Sequence, residues 1–416
     1  MSKLYGILTL CLIAAVYTVH RSSDERQYRG KLHLSTKTSY PHHASEQLTL
    51  PSDVTLVKVQ YVSRHGTRYP MLNDMARIRK LLGKIQVPAH WMPPDLIDDQ
   101  NAGKLASTGH TDMHRLGQRA LKRYRDLLNT TATTAIGFQS SESARSIDSA
   151  MAFMSALDLS SHLNVIPRAN DTTLAMKYNC PLWSHYKQKM SADISSQVAI
   201  FDSLHAARIQ SRLEQKLGAL LPMGDIATLY LLCGYDLALY GNHGKWCSLI
   251  DEPMSFWLEL RNDIKYSRVY GPDGADINRH IACSLVSEIL DELEHGSALA
   301  IFKFGHAETV MFLSTLMHLD SALGSSDMAV TGAMSLSQAR ARGFQTSLLV
   351  PFSANIIFEL YQDLSHRLLV RMLVNEQPIR LQQCGGSYLC PLSTLHTAFG
   401  NDVGCELAKV CSVLNL

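Results

Sequence analysis

The spacing of apolar positions changes along the chain, and those changes delimit its elements. "VTLVKVQYV" (54–62) is dense in β-branched and aromatic side chains and predicts a strand ending just before "SRHGTRYP". In "TDMHRLGQRALKRYRDLL" (111–128) apolar residues recur at 113, 116, 120, 121, 124, 127 and 128, the stripe of an amphipathic helix. "AIGFQSSESARSIDSAMAFMSALDL" (135–159) predicts strand, loop and helix. "SALAIFKFGHAETVMFLSTLM" (297–317) repeats that order, with a strand over 298–304, a turn at Gly305 and a helix from 307. Further strands are expected at "SLLVPFS" (347–353), "IIFELYQ" (356–362) and "LLVRMLV" (368–374), whereas helical periodicity dominates between 180 and 283. The pattern predicts an α/β domain over 51–179 and 284–416, interrupted by a mainly helical cap over 180–283.

The two ends modify this picture. An early lysine, an apolar run over residues 4–17 and a polar continuation give residues 1–20 the form of a secretory signal, and 21–50 that of a polar lead-in rather than core. Nothing later approaches the roughly 20 apolar residues of a membrane span. The tail "CSVLNL" carries no retrieval signal, so secretion or the lumen of the secretory pathway is the expected location. Eight cysteines follow the leader, which in an exported chain predicts four disulfides. Short separations favour Cys384–Cys390, Cys405–Cys411 and Cys233–Cys247, leaving Cys180 for Cys283. Sequons at Asn129 and Asn170 agree with export.

Of the 416 residues, 46% are hydrophobic and 18% charged, and net charge is only +2 with histidines neutral, so a general polyanion binder such as a nucleic-acid protein is not expected. Attraction for an acidic ligand must be local. Arg64, His65 and Arg68 supply it: three groups within five positions, where a strand ends and ligands of open α/β sheets bind. Paired guanidinium forks suit a tetrahedral oxyanion, and the same cations disfavour protonation of the imidazole, leaving a ring nitrogen able to attack phosphorus. "FGHAE" (304–308) adds His306 and the carboxylate of Glu308 at a strand-to-helix junction, where free N–H groups favour anions. Arg145 stands near the entrance of another helix.

Rival chemistries lack their anchors. No G-x-x-x-x-G-K-[ST], G-x-S-x-G or D-x-D occurs, nor any cysteine followed six positions later by arginine. His110 and His114 share a helix face but lack the glutamate of H-E-x-x-H, so no metal site is assigned.

"SRHGTRYP" and "FGHAETVMFL" resemble the two signature motifs of the histidine phosphatase superfamily. H-A-E, where acid phosphatases of the superfamily have H-D, resembles the multiple inositol polyphosphate phosphatases in particular, and "LLVPFSANIIFELY" and "LLVRMLVNEQP" are similar to their C-terminal strands. The resemblance runs from about 55 to 376 and implies a phosphoglycerate-mutase-like α/β domain with an inserted helical cap. It implies that His65 takes the phosphoryl group, that Arg64, Arg68, Arg145 and His306 hold its oxygens, and that Glu308 serves as general acid and then general base. No cofactor or metal is implied, since three arginines and a histidine balance the phosphoryl charge. The implied substrate is a small phosphorylated molecule, foremost an inositol polyphosphate such as phytate. A general acid phosphatase and a 2,3-bisphosphoglycerate phosphatase are the alternatives. A silent inositol-phosphate-binding relative is a third reading, against which the intact His65 and Glu308 speak.

Overall fold

Three parallel strands end side by side, and their register brings the two motifs together. In the computed structural model, which describes residues 32–41, 51, 53–129, 135–158, 162–241, 245–324, 328–400 and 404–412, β1 (Val54–Arg64) pairs parallel with β4 (Ala300–Gly305), Arg64 facing Gly305. β2 (Ile136–Ser141) pairs parallel with the other edge of β4, and β3 (Leu163–Ile166) lies outside β2. On the far side of β1 the sheet turns antiparallel through β5 (Asn355–Asp363) and β6 (Leu368–Val374), giving the order β3-β2-β4-β1-β5-β6. The carboxyl ends of β1, β2 and β4 thus open on one edge, where ligands of such sheets bind.

Helices cover both faces, which is why the central strands are almost continuously apolar. β4 is buried along its whole length. The two-residue period of β1 sorts its side chains. Val59 and Tyr61 join Phe138, Phe302 and the helices Ser107–Arg123 and Ala144–Ser155, while Val62 joins the opposite core with Cys283–Glu294 and Ala307–Leu316. The segment between Cys180 and Cys283 holds three long helices, Pro181–Leu217, Met223–Tyr240 and Glu252–Val269. Proline opens the first at a position whose N–H has no helical partner, and Gly218, in the left-handed region at φ 68°, closes it. Their buried Phe201, Leu229 and Leu260 belong to the same core as Val62 and Ile356.

The structure corrects four expectations. Residues 32–41 are not a peripheral lead-in: Leu34, Ser35, Thr36 and Tyr40 are buried. The rest of that segment, and the leader at 1–20, lie outside the described residues. "SLLVPFS" is not a strand but a helical turn, Thr346–Leu349, followed by a buried loop. Its apolar side chains seek the core as strand residues would, but its carbonyls serve a side chain, as shown below. The helix expected over 111–128 starts at Ser107 and breaks at Tyr124. Finally, Cys233–Cys247 and Cys384–Cys390 pair as expected, but the tail docks elsewhere, so that Cys411 meets Cys180 at a Cα separation of 4.7 Å and Cys405 meets Cys283 at 6.0 Å. Closing a longer loop costs only about 0.6 kcal/mol per doubling, so short separation is a weak guide against a docked tail.

Candidate active site

His65 leaves the end of β1 with its backbone N–H on Gly305 O at 3.0 Å, which fixes the first motif to the second. The following loop lies directly on the helix Ser107–Arg123. A Cβ on Gly66 would stand 2.7 Å from Gly109 O, so glycine is required by this close approach. Gly66 N–H also donates to Ser149 Oγ at 3.0 Å, tying the loop to the helix that carries Arg145.

The imidazole of His65 is buried, and its Nδ1 lies 2.9 Å from Gly66 O. A carbonyl only accepts, so Nδ1 carries the proton and Nε2 keeps its lone pair. Burial, and then the charges of Arg64, Arg145 and Arg68, hold its pKa well below the ordinary imidazole value. His65 is therefore a neutral, nucleophilic imidazole even in mild acid.

Arg64 is also buried. Its Nη1 donates to Thr36 O at 2.8 Å and Val350 O at 2.7 Å, and its guanidinium stacks 4.4 Å from the Phe352 ring. The segment 32–41 and the loop after Leu349 are thus the two hands that grip Arg64. Burial and the neighbouring Arg68 lower its pKa to about 9, which still leaves it charged at neutral pH. Arg68 donates to Tyr69 O at 2.7 Å and to Tyr235 Oη at 2.9 Å. Arg145, at the start of its helix, donates to His306 Nδ1 at 3.3 Å. His306 Nε2 then carries the ring proton, which Ser141 Oγ accepts at 3.0 Å, and burial lowers the His306 pKa to about 4. The imidazoles of His65 and His306 meet edge to face, 5.9 Å between centroids. Each of the three arginines has a buried Nε–H with no acceptor among the described residues, and none of the three has a carboxylate partner there.

Glu308 occupies the first turn after His306. Burial alone would raise its pKa, but the ammonium of Lys177, hydrogen-bonded to Oε1, and then His306 bring it down to about 2. Sequence reasoning missed Lys177, which lies in "MKYNC" without a motif around it. It also missed Lys37, whose Nζ donates to Thr36 Oγ1 at 2.9 Å and whose pKa burial and the charges of Arg68 and Arg64 push well down. A cavity of about 280 Å³ opens beside Arg145 and His306, walled by Ser141, Arg168 and Tyr178. His110 and His114 stay on their helix surface, and no cluster of three or more His, Cys, Asp or Glu suited to a metal occurs among the described residues. No helix of the described residues is long and apolar enough to cross a membrane.

Every residue singled out in the two motifs, and Arg145, thus converges on one cleft. Comparison with known proteins points the same way. Residues 55–375 match the family described as histidine phosphatase superfamily (branch 2). Multiple inositol polyphosphate phosphatase 1 of Gallus gallus is 27% identical, over 82% of this chain and 80% of its own. A thiamine-repressible acid phosphatase of Schizosaccharomyces pombe is 26% identical, over 92% and 89%. Among solved structures, the phytase from D. castellii superposes with a TM-score of 0.75 at 17% identity, covering 91% of this chain and 87% of its own. The multiple inositol polyphosphate phosphatase of Bifidobacterium longum, in complex with inositol hexasulfate, gives 0.68 at 17%, covering 88% and 97%.

Proposed function

The chain belongs to the histidine phosphatase superfamily, branch 2, and on that premise we propose that this phosphatase hydrolyses inositol polyphosphates, phytate among them, through a phosphohistidine on His65. One observation carries the reading: three guanidinium groups, that of Arg64 buried and those of Arg68 and Arg145 half-buried, each with a buried Nε–H unanswered and no ion-paired carboxylate among the described residues, surround an imidazole whose Nε2 lone pair is free. Such a cage is complementary to a phosphoryl group and to little else.

In the first step Nε2 of His65 attacks phosphorus, the N–P bond forms and the P–O bond to the inositol breaks. Glu308 gives its proton to the departing oxygen. Arg64, Arg68, Arg145 and His306 hold the three non-bridging oxygens as charge spreads onto them. In the second step the Glu308 carboxylate takes a proton from water, the hydroxyl adds to phosphorus, and His65 leaves as the free imidazole. The helical cap between Cys180 and Cys283 shapes the ring-binding wall. Four disulfides and the exposed Asn129 and Asn170 support an exported enzyme.

A general acid phosphatase is the second reading, supported by the acid phosphatase relative that matches over most of both chains. Phosphate release from phytate and from p-nitrophenyl phosphate, with and without chelator, decides between them. We expect turnover of phytate at least comparable to the aryl ester, unchanged by chelator, and its loss by a factor of about 10⁴ or more in His65→Ala. Hydrolysis of the aryl ester alone would leave the acid phosphatase, and appreciable activity in His65→Ala would remove the covalent step.

A further inference from the structure

The ion pair on Glu308 presents a chemical difficulty that points to its own solution. A carboxyl with a pKa of about 2 is protonated in only roughly one molecule in a thousand at pH 5. Paired with Lys177, the carboxylate is therefore in the wrong state for donating a proton to an alkoxide. The group responsible is Lys177, which comes from the turn Met176–Asn179 and touches Glu308 through its ammonium.

The other groups facing this carboxylate come from every element around it. Its own helix contributes His306, and the helix Ala144–Ser155 contributes Arg145. Lys187 from Pro181–Leu217 lies in the field of Lys177, Lys265 and Glu308, and Lys265 stands on Glu252–Val269. Tyr178 and Tyr270 complete the surround, Lys177 standing 4.9 Å over the Tyr178 ring. Lys187 and Lys265 are exposed and have no carboxylate partner among the described residues. Lys177 thus touches the carboxylate with Lys187 and Lys265 in its surroundings; Lys187 stands 5.1 Å over the Trp183 ring, and neither of these two is ion-paired to a carboxylate among the described residues. Such a surplus, adjoining the phosphoryl cage, suits a second phosphate of the same substrate.

We propose that Lys177 is a positioning residue that exchanges Glu308 for a second phosphate of the substrate, so that only a multiply phosphorylated substrate frees the general acid to take up its proton. The inference rests on the polyphosphate reading and deepens it. When a neighbouring phosphate enters between Lys177, Lys187 and Lys265, the ammonium turns to its greater negative charge. Glu308 remains buried without its cation. Burial then favours the neutral carboxyl, which takes a proton from solvent and later transfers it to the leaving oxygen. A substrate with one phosphate leaves the ion pair in place and is turned over through the small protonated fraction alone.

The kcat–pH profile, which reports groups in the enzyme–substrate complex, tests this on wild type, Lys177→Met and Lys177→Arg with inositol hexakisphosphate and glycerol 2-phosphate. In wild type the descending limb for the hexakisphosphate is expected at least one pH unit above that for glycerol 2-phosphate. In Lys177→Met the glycerol 2-phosphate limb moves up by a unit or more and its kcat at pH 6 rises several-fold. Over the same change kcat/KM for the hexakisphosphate falls at least tenfold. Lys177→Arg retains the wild-type limbs. Coincident limbs in wild type, or a loss in Lys177→Met by the same factor on both substrates with no shift, would overturn the exchange and leave Lys177 a support for Glu308. Because the first comparison uses wild type, it stands even if the methionine variant does not fold. Hydrolysis of glycerol 2-phosphate without any turnover of the hexakisphosphate would instead overturn the substrate reading itself.

Discussion

Two clusters of arginine lie against the same sheet and are built on opposite principles. On β5, Glu359 accepts from Arg123 Nε and Arg371 Nε, each at 2.6 Å, and from the hydroxyls of Tyr124 at 2.9 Å and Tyr361 at 3.0 Å. Its charge is answered on all sides, and Arg123, Arg371 and hydrogen bonds overcome the effect of burial to lower its pKa. At the end of β1 and β4, Arg64, Arg68 and Arg145 are gathered without an ion-paired carboxylate among the described residues, since Glu308 in the same cleft is held by Lys177. An unbonded Nε by itself is not the difference, since buried Arg342 has one too, but Glu259 and Asp263 answer the charge of Arg342. What distinguishes the site is unanswered charge together with unanswered donors. A fold tolerates that only where a ligand supplies the anion.

The comparison breaks first at the balanced cluster. Glu359→Gln leaves two guanidinium groups facing a neutral amide, and loss of one partner from a buried pair costs about 3–5 kcal/mol. Urea denaturation should show that loss, while kcat of the folded fraction stays at the wild-type level. A loss below about 1 kcal/mol would mean that water already screens the cluster. Arg145→Gln should behave inversely. It removes like charge from beside Arg68, so stability without ligand is unchanged or slightly raised. kcat/KM should fall by roughly 10²–10³, the usual cost of one preorganised donor to a developing anion, about 2.7–4 kcal/mol. Inorganic phosphate should also raise its Tm less than it raises that of wild type. A kcat/KM within threefold of wild type would place Arg145 outside the cradle.

What sequence could disclose about these clusters depended on whether their members were neighbours in the chain. Arg64, His65 and Arg68 share one loop, and His306 and Glu308 share one helix start, so local spacing carried their geometry. Arg145 could be placed at a helix entrance, and the parallel register of β2 with β4 then brings it to His306. Lys177 and Lys37 left no local trace, because their positions depend on where the segments before Cys180 and after His33 dock. The apolar run "SLLVPFS" misleads for a related reason: burial is written in its side chains, but the use of Val350 O as an acceptor for Arg64 is not. The tail cysteines differ again. Their pairing depends on where Leu407–Val410 comes to rest, and separation in sequence does not report that.

The smallest effect separates the clusters by pH. An unfolded chain binds a proton at each histidine below about 6.5, whereas folded His65 stays neutral until well below that value, and His306 until about 4. Between those limits the unfolded state holds more protons than the native state, so stability falls as pH falls, by up to about 1.4 kcal/mol per unit for each such group. Glu359 has the opposite pattern: its pKa is depressed by folding, so its contribution is complete above the unfolded carboxylate value and is lost only as pH drops through and below it. From pH 6.5 to 5.0 the cage should therefore respond while the balanced cluster is silent. His65→Ala removes one of the responding groups, so over that interval it should lose less stability than wild type in phosphate-free buffer. Phosphate at saturation should diminish this difference, because an anion in the cage favours the protonated imidazole that the arginines oppose. Parallel pH curves for the two proteins without phosphate would show that His65 titrates as an ordinary exposed histidine, and the neutral nucleophile would then lose its electrostatic basis.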